Sequence, residues 1–109
     1  MTTRVVVTDA CVLINLIQVE RLPVLGDLPG YEFVVPDHVY EEVTDPGQRQ
    51  ALDDAIDHGK LRKESLTDLS SIELYASLRA SLGRGEAACI AMAVAQGCMI
   101  ASDERRLFR

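Results

Sequence analysis

The sequence predicts one α/β domain, a three-layer sandwich in which a small parallel sheet of four strands lies between helices. A chain of 109 residues suits a single modest core. Its content of 48% hydrophobic and 26% charged residues is typical of a globular protein. Short apolar runs alternate with helical patterns, which is the spacing expected of parallel strands joined by helices.

Four apolar runs are the predicted strands. Residues 4–8 form a β-branched run that ends abruptly at Asp9, which indicates a buried central strand. Residues 32–35 and 98–101 are the second and fourth strands, and residues 61–66 form a third strand at one edge of the sheet.

Helical patterns fill the intervals between these runs. The predicted helices span residues 10–19, 21–28, 36–43, 48–58, from Ser70 or Ser71 to about Leu82, and 85–96. Asp9 is placed to cap the first of them, and Ser70 or Ser71 to cap the fifth. Asp45-Pro46-Gly47 is expected to break the chain before the fourth. The last helix has no polar side chain from Ala87 to Ala95, so it is expected to be buried on most sides.

The sequence also indicates the cellular compartment of the protein. No apolar run approaches the ~20 residues needed to span a bilayer, and the N-terminus lacks the pattern of a secretory signal. Cys11, Cys89 and Cys98 lie in apolar sequence without the Cys/His pairing that zinc needs, and are expected to be small buried residues. These features predict a cytoplasmic protein.

The net charge of −6 is unevenly distributed. Residues 1–59 hold eleven acidic and three basic residues, whereas residues 60–109 hold six acidic and eight basic ones. Because affinity for nucleic acid comes largely from Lys and Arg, the acidic half argues against non-specific binding to phosphates. A nucleic-acid substrate would therefore require metal ions and a local basic patch.

Two acids are placed to form a site. Asp9 and Asp103 each follow an apolar run that is predicted to be a parallel strand, and ligands of open α/β sheets bind at that edge. If the two strands are neighbours, the carboxylates converge. Taken alone, Asp9 could be a simple helix cap and Asp103 a turn residue, so the pair is more informative than either member.

Helix geometry separates Glu42 from Glu41. At about 100° per residue, Val39 and Val43 define the buried side of their helix. Glu41 then points away from that side into water, whereas Glu42 flanks it and can reach over the strand ends. Two exposed glutamates remain the alternative.

Glu86 begins the all-apolar helix, with Ile90 and Val94 on the same face. A carboxylate at a helix N-terminus is stabilised by the helix dipole by about 0.3–1 kcal/mol, which would suffice for an exposed acid. For an acid that leads a buried helix, a metal partner is the better explanation, because an unpaired buried charge is costly.

The chemistry of these acids points to a hard cation. Oxygen ligands without thiolate or imidazole nearby favour Mg²⁺ or Mn²⁺ over zinc. Several carboxylates around such ions can activate a water and neutralise charge on a phosphodiester. A cluster tight enough for one ion to bridge several acids is predicted. His38 and His58 lie in helical, acidic surroundings and are expected at the surface.

Four segments resemble the PIN-domain ribonucleases, most closely the toxin-type branch of bacteria and archaea. They are VTDACVLINL (7–16), VPDHVYEEV (35–43), LGRGEAACIAMA (82–93) and IASDERR (100–106), in the family's order and over almost the whole chain. The resemblance implies a metal-dependent endoribonuclease in which Asp9, Glu42, Glu86 and Asp103 bind Mg²⁺ or Mn²⁺ and orient the attacking water. It also implies a homodimer and inhibition by a cognate antitoxin.

Two departures from the family pattern carry expectations of their own. Cys11 stands where the family often has Ser or Thr in support of the metal, and a thiol is a weaker hydrogen-bond partner. The chain ends at Arg109, whereas the family usually continues through another strand. The expectation is a single PIN-like domain over residues 1–109 that lacks the final strand, with one sheet edge exposed.

Basic residues gather near the third and fourth motifs, namely Arg84, Arg105, Arg106 and Arg109. Arg84 and Arg105 are candidates to hold RNA phosphates through bidentate contacts. A solubilising surface or an antitoxin-binding rim is an equal alternative. Asn15 is a candidate to support the metal site through hydrogen bonds, or else makes a local packing contact.

Two other functions compete with the ribonuclease. A truncated, catalytically inactive PIN-like module that binds or dimerises would account for Cys11 and the short C-terminus, although four retained acids argue against it. A phosphoacceptor receiver domain also places acids at strand ends. It requires paired acids after the first strand and a late lysine, and no lysine follows Lys63.

Overall fold

The computed structural model describes residues 3–101. Four strands in this range form one parallel sheet. The strands are β1 (Arg4–Thr8), β2 (Tyr31–Pro36), β3 (Arg62–Glu64) and β4 (Met99–Ala101), in the order β3-β2-β1-β4. The predicted strands and the edge position of β3 are confirmed. Within the described range, β1 is paired on both sides.

The register joins the strand that ends at Asp9 to the strand that leads toward Asp103. In β1, Val6 is opposite Phe33 of β2, and Thr8 is opposite Ala101 of β4. Val6, Val7 and Thr8 are consecutive and all buried. Because successive side chains of a strand point to opposite faces, both faces of the sheet are covered.

Helices supply the two outer layers. The α-helices are α1 (Ala10–Gln18), α2 (Asp37–Glu42), α3 (Pro46–Asp57), α4 (Leu69–Leu78) and α5 (Arg84–Gln96), and a 3₁₀ helix spans Leu22–Asp27. Helix α5 packs on β1, β2 and β4, with α2 and α4 beside it, whereas α1, α3 and the 3₁₀ helix pack together. The predicted α/β sandwich is confirmed. None of the helices within residues 3–101 has the length and apolar character to cross a membrane.

Two helix starts differ from the prediction. Asp45 does not break the chain but caps α3, because its side chain accepts the backbone N–H of Gln48 at 3.0 Å and Pro46 occupies the first turn. Asp68, not Ser70 or Ser71, caps α4 by accepting the Ser71 N–H at 3.1 Å. Hydrogen bonds from Ser70 and then Ser71 lower the pKa of Asp68 to about 2, so this cap stays charged.

The ends of α4 and α5 also correct the prediction. Helix α4 stops at Leu78 instead of about Leu82. Arg79 caps its C-terminus and still has a right-handed helical backbone conformation. Helix α5 is buried from Ala87 to Ala93 apart from the half-buried Ile90, but Val94 is 64% exposed. The apolar pattern therefore overstates the buried length of α5.

Candidate metal centre

The carboxyl edge of β1 and β4 is the point where the chain connections diverge. From β1 the chain continues to β2 on one side, whereas β4 pairs on the other side. The backbone N–H of Asp9 donates to the carbonyl of Ala101 at 3.2 Å. Such switch points are where open α/β sheets bind ligands. Asp103 follows Ala101 by two positions in the sequence and lies outside the described residues.

Asp9 serves as a helix cap and lines the site. It is only 4% exposed. Its Oδ1 accepts the backbone N–H of Val12 at 2.9 Å, which begins α1. The two interpretations drawn from the sequence are thus compatible, because one oxygen of the carboxylate is enough to cap the helix.

Three of the four predicted acids border one cleft. The cleft has a volume of about 180 Å³ and is lined by Asp9, Ala10, Cys11, Glu42, Gly83, Gly85 and Glu86. The acids come from the end of β1, the end of α2 and the first turn of α5. Cys11 is exposed here, which corrects the expectation of a buried thiol.

The two glutamates of α2 are both exposed as whole residues, but they face different neighbours. Glu42 lines the cleft, whereas Glu41 is exposed and accepts a hydrogen bond from Nη2 of Arg84 at 3.1 Å. Although Glu42 is exposed as a whole residue, partial burial of its carboxylate raises its pKa. The charges of Glu86 and Asp9 raise that pKa further, against an opposing effect of Arg84 and a smaller one of His38.

The charges of the acids also affect the buried thiol of Cys89. Cys89 is buried and its Sγ donates to the carbonyl of Thr8 at 3.5 Å. Its pKa is raised by burial first, and then by the charges of Asp9, Glu42 and Glu86. Oε2 of Glu86 is closed off from solvent. All three carboxylates are therefore close enough to the Cys89 thiol to raise its pKa.

Gly85 makes room for Glu42, a role that the sequence analysis missed. A Cβ added to Gly85 would overlap Oε1 of Glu42 and lie 2.9 Å from its Cδ. The available signal was the Gly-Arg-Gly run before Glu86, but nothing local shows which glycine faces a side chain of another helix.

The donor set fits a hard divalent cation, since it consists of carboxylate oxygens whose mutual repulsion a cation would offset. The predicted tight cluster is not formed by the described side chains: within residues 3–101, no group of three or more His, Cys, Asp or Glu residues is arranged to hold one ion. Asp9, Glu42 and Glu86 are the described residues that would contribute ligands, and like charges without a cation between them favour separation.

Other predicted residues lie apart from this cleft or beyond the described range. Asn15 is exposed on α1. Arg84 is exposed beside Glu41 and lies near enough to Glu42 to affect its pKa. His38 is half-buried with its ring 4.4 Å from that of Tyr75, so it is not a simple surface residue, whereas His58 is exposed as predicted. Arg105 lies outside the described residues.

The raised pKa of Glu42 leads to a pH-dependent stability prediction. Because the folded state holds this proton more tightly than the unfolded state, ionisation of Glu42 costs stability as the pH rises through the folded pKa. In EDTA, Glu42→Gln is expected to raise the melting temperature slightly at pH 7. The gain should vanish below about pH 4, where the unfolded carboxyl is also protonated. Glu41→Gln, at the exposed neighbour, is the control. An equal gain at both pH values would contradict the prediction.

Comparison with known proteins gives one result. A family profile described as a PIN domain matches residues 5–107. No curated protein matches the chain. The matched range covers the four strands, apart from Arg4 at the start of β1, and the three acids of the cleft.

Proposed function

The chain belongs to the PIN-domain family, and from that premise we propose that it is a Mg²⁺- or Mn²⁺-dependent endoribonuclease. PIN domains are typically nucleases and generally use divalent metal ions. The observation that carries the proposal is the cleft at the carboxyl edge of the sheet, which Asp9, Glu42 and Glu86 line.

The roles of the residues follow from their placement. Asp9, Glu42 and Glu86 would hold the cation together with Asp103, which the sequence places after β4. A bound Mg²⁺ or Mn²⁺ supplies an activated water and neutralises charge that develops on the phosphodiester. Asp9 is fixed by the start of α1, so its carboxylate provides a rigid ligand. Glu42 lines the cleft from the end of α2 and would supply a further oxygen ligand.

Arg84 and Arg105 are the residues proposed to bind the RNA backbone. The guanidinium of Arg84 is held by Glu41 at 3.1 Å and lies near enough to Glu42 to affect its pKa. A guanidinium suits bidentate contacts with a phosphate. Cys11 lines the cleft and is proposed to support the site, as is Asn15 from the next turn of α1.

The biological setting is proposed on the family resemblance. The protein would act in the cytoplasm as the toxin of a toxin–antitoxin pair, as a homodimer inhibited by its cognate antitoxin. It would form a single domain over residues 1–109. The acidic N-terminal half counts against a nucleic-acid substrate unless the cation and the basic residues near the third and fourth motifs offset its charge.

Cleavage of RNA under metal control is the direct test. The purified protein is expected to cut a single-stranded RNA in Mg²⁺ or Mn²⁺ and to leave it intact in EDTA, since the carboxylates require a cation to act on a phosphodiester. Asp103→Asn is expected to lose the activity while the protein stays folded. A DNA strand of the same sequence is the control for substrate class. Cutting that persists in EDTA would refute the metal dependence.

An inactive binding module is the second candidate. One observation favours it: the described acids are not arranged as a group of three or more ligands that could hold one cation. Titration calorimetry with Mn²⁺ separates the two functions. Binding that is lost in Glu86→Gln supports the nuclease, and an absence of heat at millimolar Mn²⁺ supports the module.

A further inference from the structure

The helix that carries Glu42 is short. Helix α2 has six residues, begins at Asp37 after Pro36, which provides no side-chain cap, and ends at Glu42. Isolated helices of fewer than about 12–15 residues are marginal in water. The position of Glu42 at the cleft must therefore come from contacts that hold α2 to the rest of the domain.

One of these contacts comes from Arg49 of α3. Its Nε donates to the carbonyl of Val43 at 2.8 Å, and its Nη2 donates to the carbonyl of Tyr40 at 3.1 Å. These carbonyls lie on either side of Glu42 in the sequence. The last carbonyls of a helix lack their regular helical partners. The Tyr40 carbonyl accepts the N–H of Val43 at 3.2 Å instead, and the planar fork of a guanidinium can bond two carbonyls at once.

The side chain of Tyr40 strengthens the same connection. The guanidinium of Arg49 lies over the Tyr40 ring, 4.1 Å from its centroid. The Tyr40 hydroxyl donates to Oδ1 of Asp53 at 2.5 Å. This hydrogen bond is the main cause of a raised pKa for Tyr40, so the hydroxyl stays a donor at neutral pH. Arg49 and Asp53 are one turn apart on α3, and together they fix the end of α2.

We propose that Arg49 is a positioning residue that holds Glu42 at the cleft through the carbonyls of Tyr40 and Val43. The effect of Arg49 on catalysis rests on the proposed function, whereas its effect on the position of Glu42 does not. If the two hydrogen bonds are lost, the end of α2 is free to move. The Glu42 carboxylate then leaves the space beside Gly85, where a Cβ would otherwise stand.

Lys63 provides a matched control. Its Nζ lies 4.3 Å from the centroid of the same Tyr40 ring, so it shares the charge and the ring contact of Arg49. Lys63→Gln removes one positive charge from that ring and leaves both carbonyl hydrogen bonds in place. Arg49→Gln removes the same charge and the two hydrogen bonds. A difference between these variants therefore reports on the hydrogen bonds to α2.

The deciding measurement is the nuclear Overhauser cross-peak between the Glu42 γ protons and the Gly85 α protons. It is expected in the wild type and in Lys63→Gln, and it should be lost in Arg49→Gln. If Arg49→Gln does not fold, Arg49→Lys, which keeps the charge without the fork, takes its place. A cross-peak of wild-type intensity in the folded Arg49 variant would overturn the proposal.

Metal binding and catalysis give the functional readouts. Loss of support to a metal ligand typically costs 10–100-fold, so we expect the Kd for Mn²⁺ to rise about tenfold in the Arg49 variant. The kcat for RNA cleavage should fall by about the same factor with KM almost unchanged, because RNA contacts are retained. If the wild type cuts no RNA but the cross-peak still depends on Arg49, the positioning role stands and the proposed function fails.

Discussion

Gly85→Ala is expected to reduce RNA cleavage by on the order of 10²-fold, the penalty typical of a catalytic group displaced by about 1 Å. The new Cβ would occupy the place of the Glu42 carboxylate, since it would overlap Oε1. Only the end of a flexible side chain has to move, and Ala is favoured over Gly inside a helix by about 1 kcal/mol. The variant should therefore fold as well as the wild type while Glu42 is displaced.

Gly83→Ala is the control for this substitution. A Cβ on Gly83 would lie 3.9 Å from Oε1 of Glu86, an ordinary contact, although Gly83 lines the same cleft. Cleavage rates at saturating Mn²⁺ and thermal melting should be measured for both variants. We expect Gly83→Ala to stay within about twofold of the wild-type rate, because an ordinary contact forces no rearrangement. Equal losses in the two variants, or an unfolded Gly85→Ala, would show that space for Glu42 is not the cause.

Asp9→Asn is expected to reduce RNA cleavage by on the order of 10³-fold, the upper range for the loss of one group that stabilises developing charge. Asn caps helices as well as Asp does, so its side-chain oxygen can still accept the N–H of Val12. The substitution therefore removes the charge from the cleft and keeps the start of α1. Mn²⁺ affinity should fall with the cleavage rate, whereas the melting temperature should change little.

Asp45→Asn provides the same chemical change at the same kind of position. Asp45 caps α3 by accepting the N–H of Gln48 at 3.0 Å, and it does not line the cleft. It should cleave RNA at the wild-type rate. Comparable cleavage by the Asp9 and Asp45 variants would mean that the charge of Asp9 has no part in catalysis.

The strands and the placement of Asp9 could be predicted because their causes are local. A β-branched run that stops at an acid indicates where a strand ends. The pairing of Thr8 with Ala101 confirms that the first and fourth strands are neighbours. Val39 and Val43, which the helical period places on the buried side, are both fully buried, and Glu42 lines the cleft whereas Glu41 does not.

The remaining features depend on contacts between distant segments. The fit of Glu42 against Gly85 joins residues 43 positions apart, and no periodicity encodes it. The hydrogen bonds from Arg49 to α2 require the docking of α3, which the sequence pattern leaves open. Asp68 was missed as a cap because Ser70 and Ser71 are also good capping residues, and the hydroxyls of both serve as donors to Asp68 instead.

The pairing between β1 and β4 has a consequence for how the protein loses activity on heating. Met99, the first residue of β4, is 46% exposed, and Ile100 and Ala101 are only half-buried. Proteins open locally where a strand is poorly covered, at a lower free energy than global unfolding. Separation of β4 from β1 would break the hydrogen bond from the Asp9 N–H to the Ala101 carbonyl and move the end of β4 away from Asp9. The core of β1, β2 and α5 would stay packed. Thermal inactivation should therefore begin below the melting temperature of the domain.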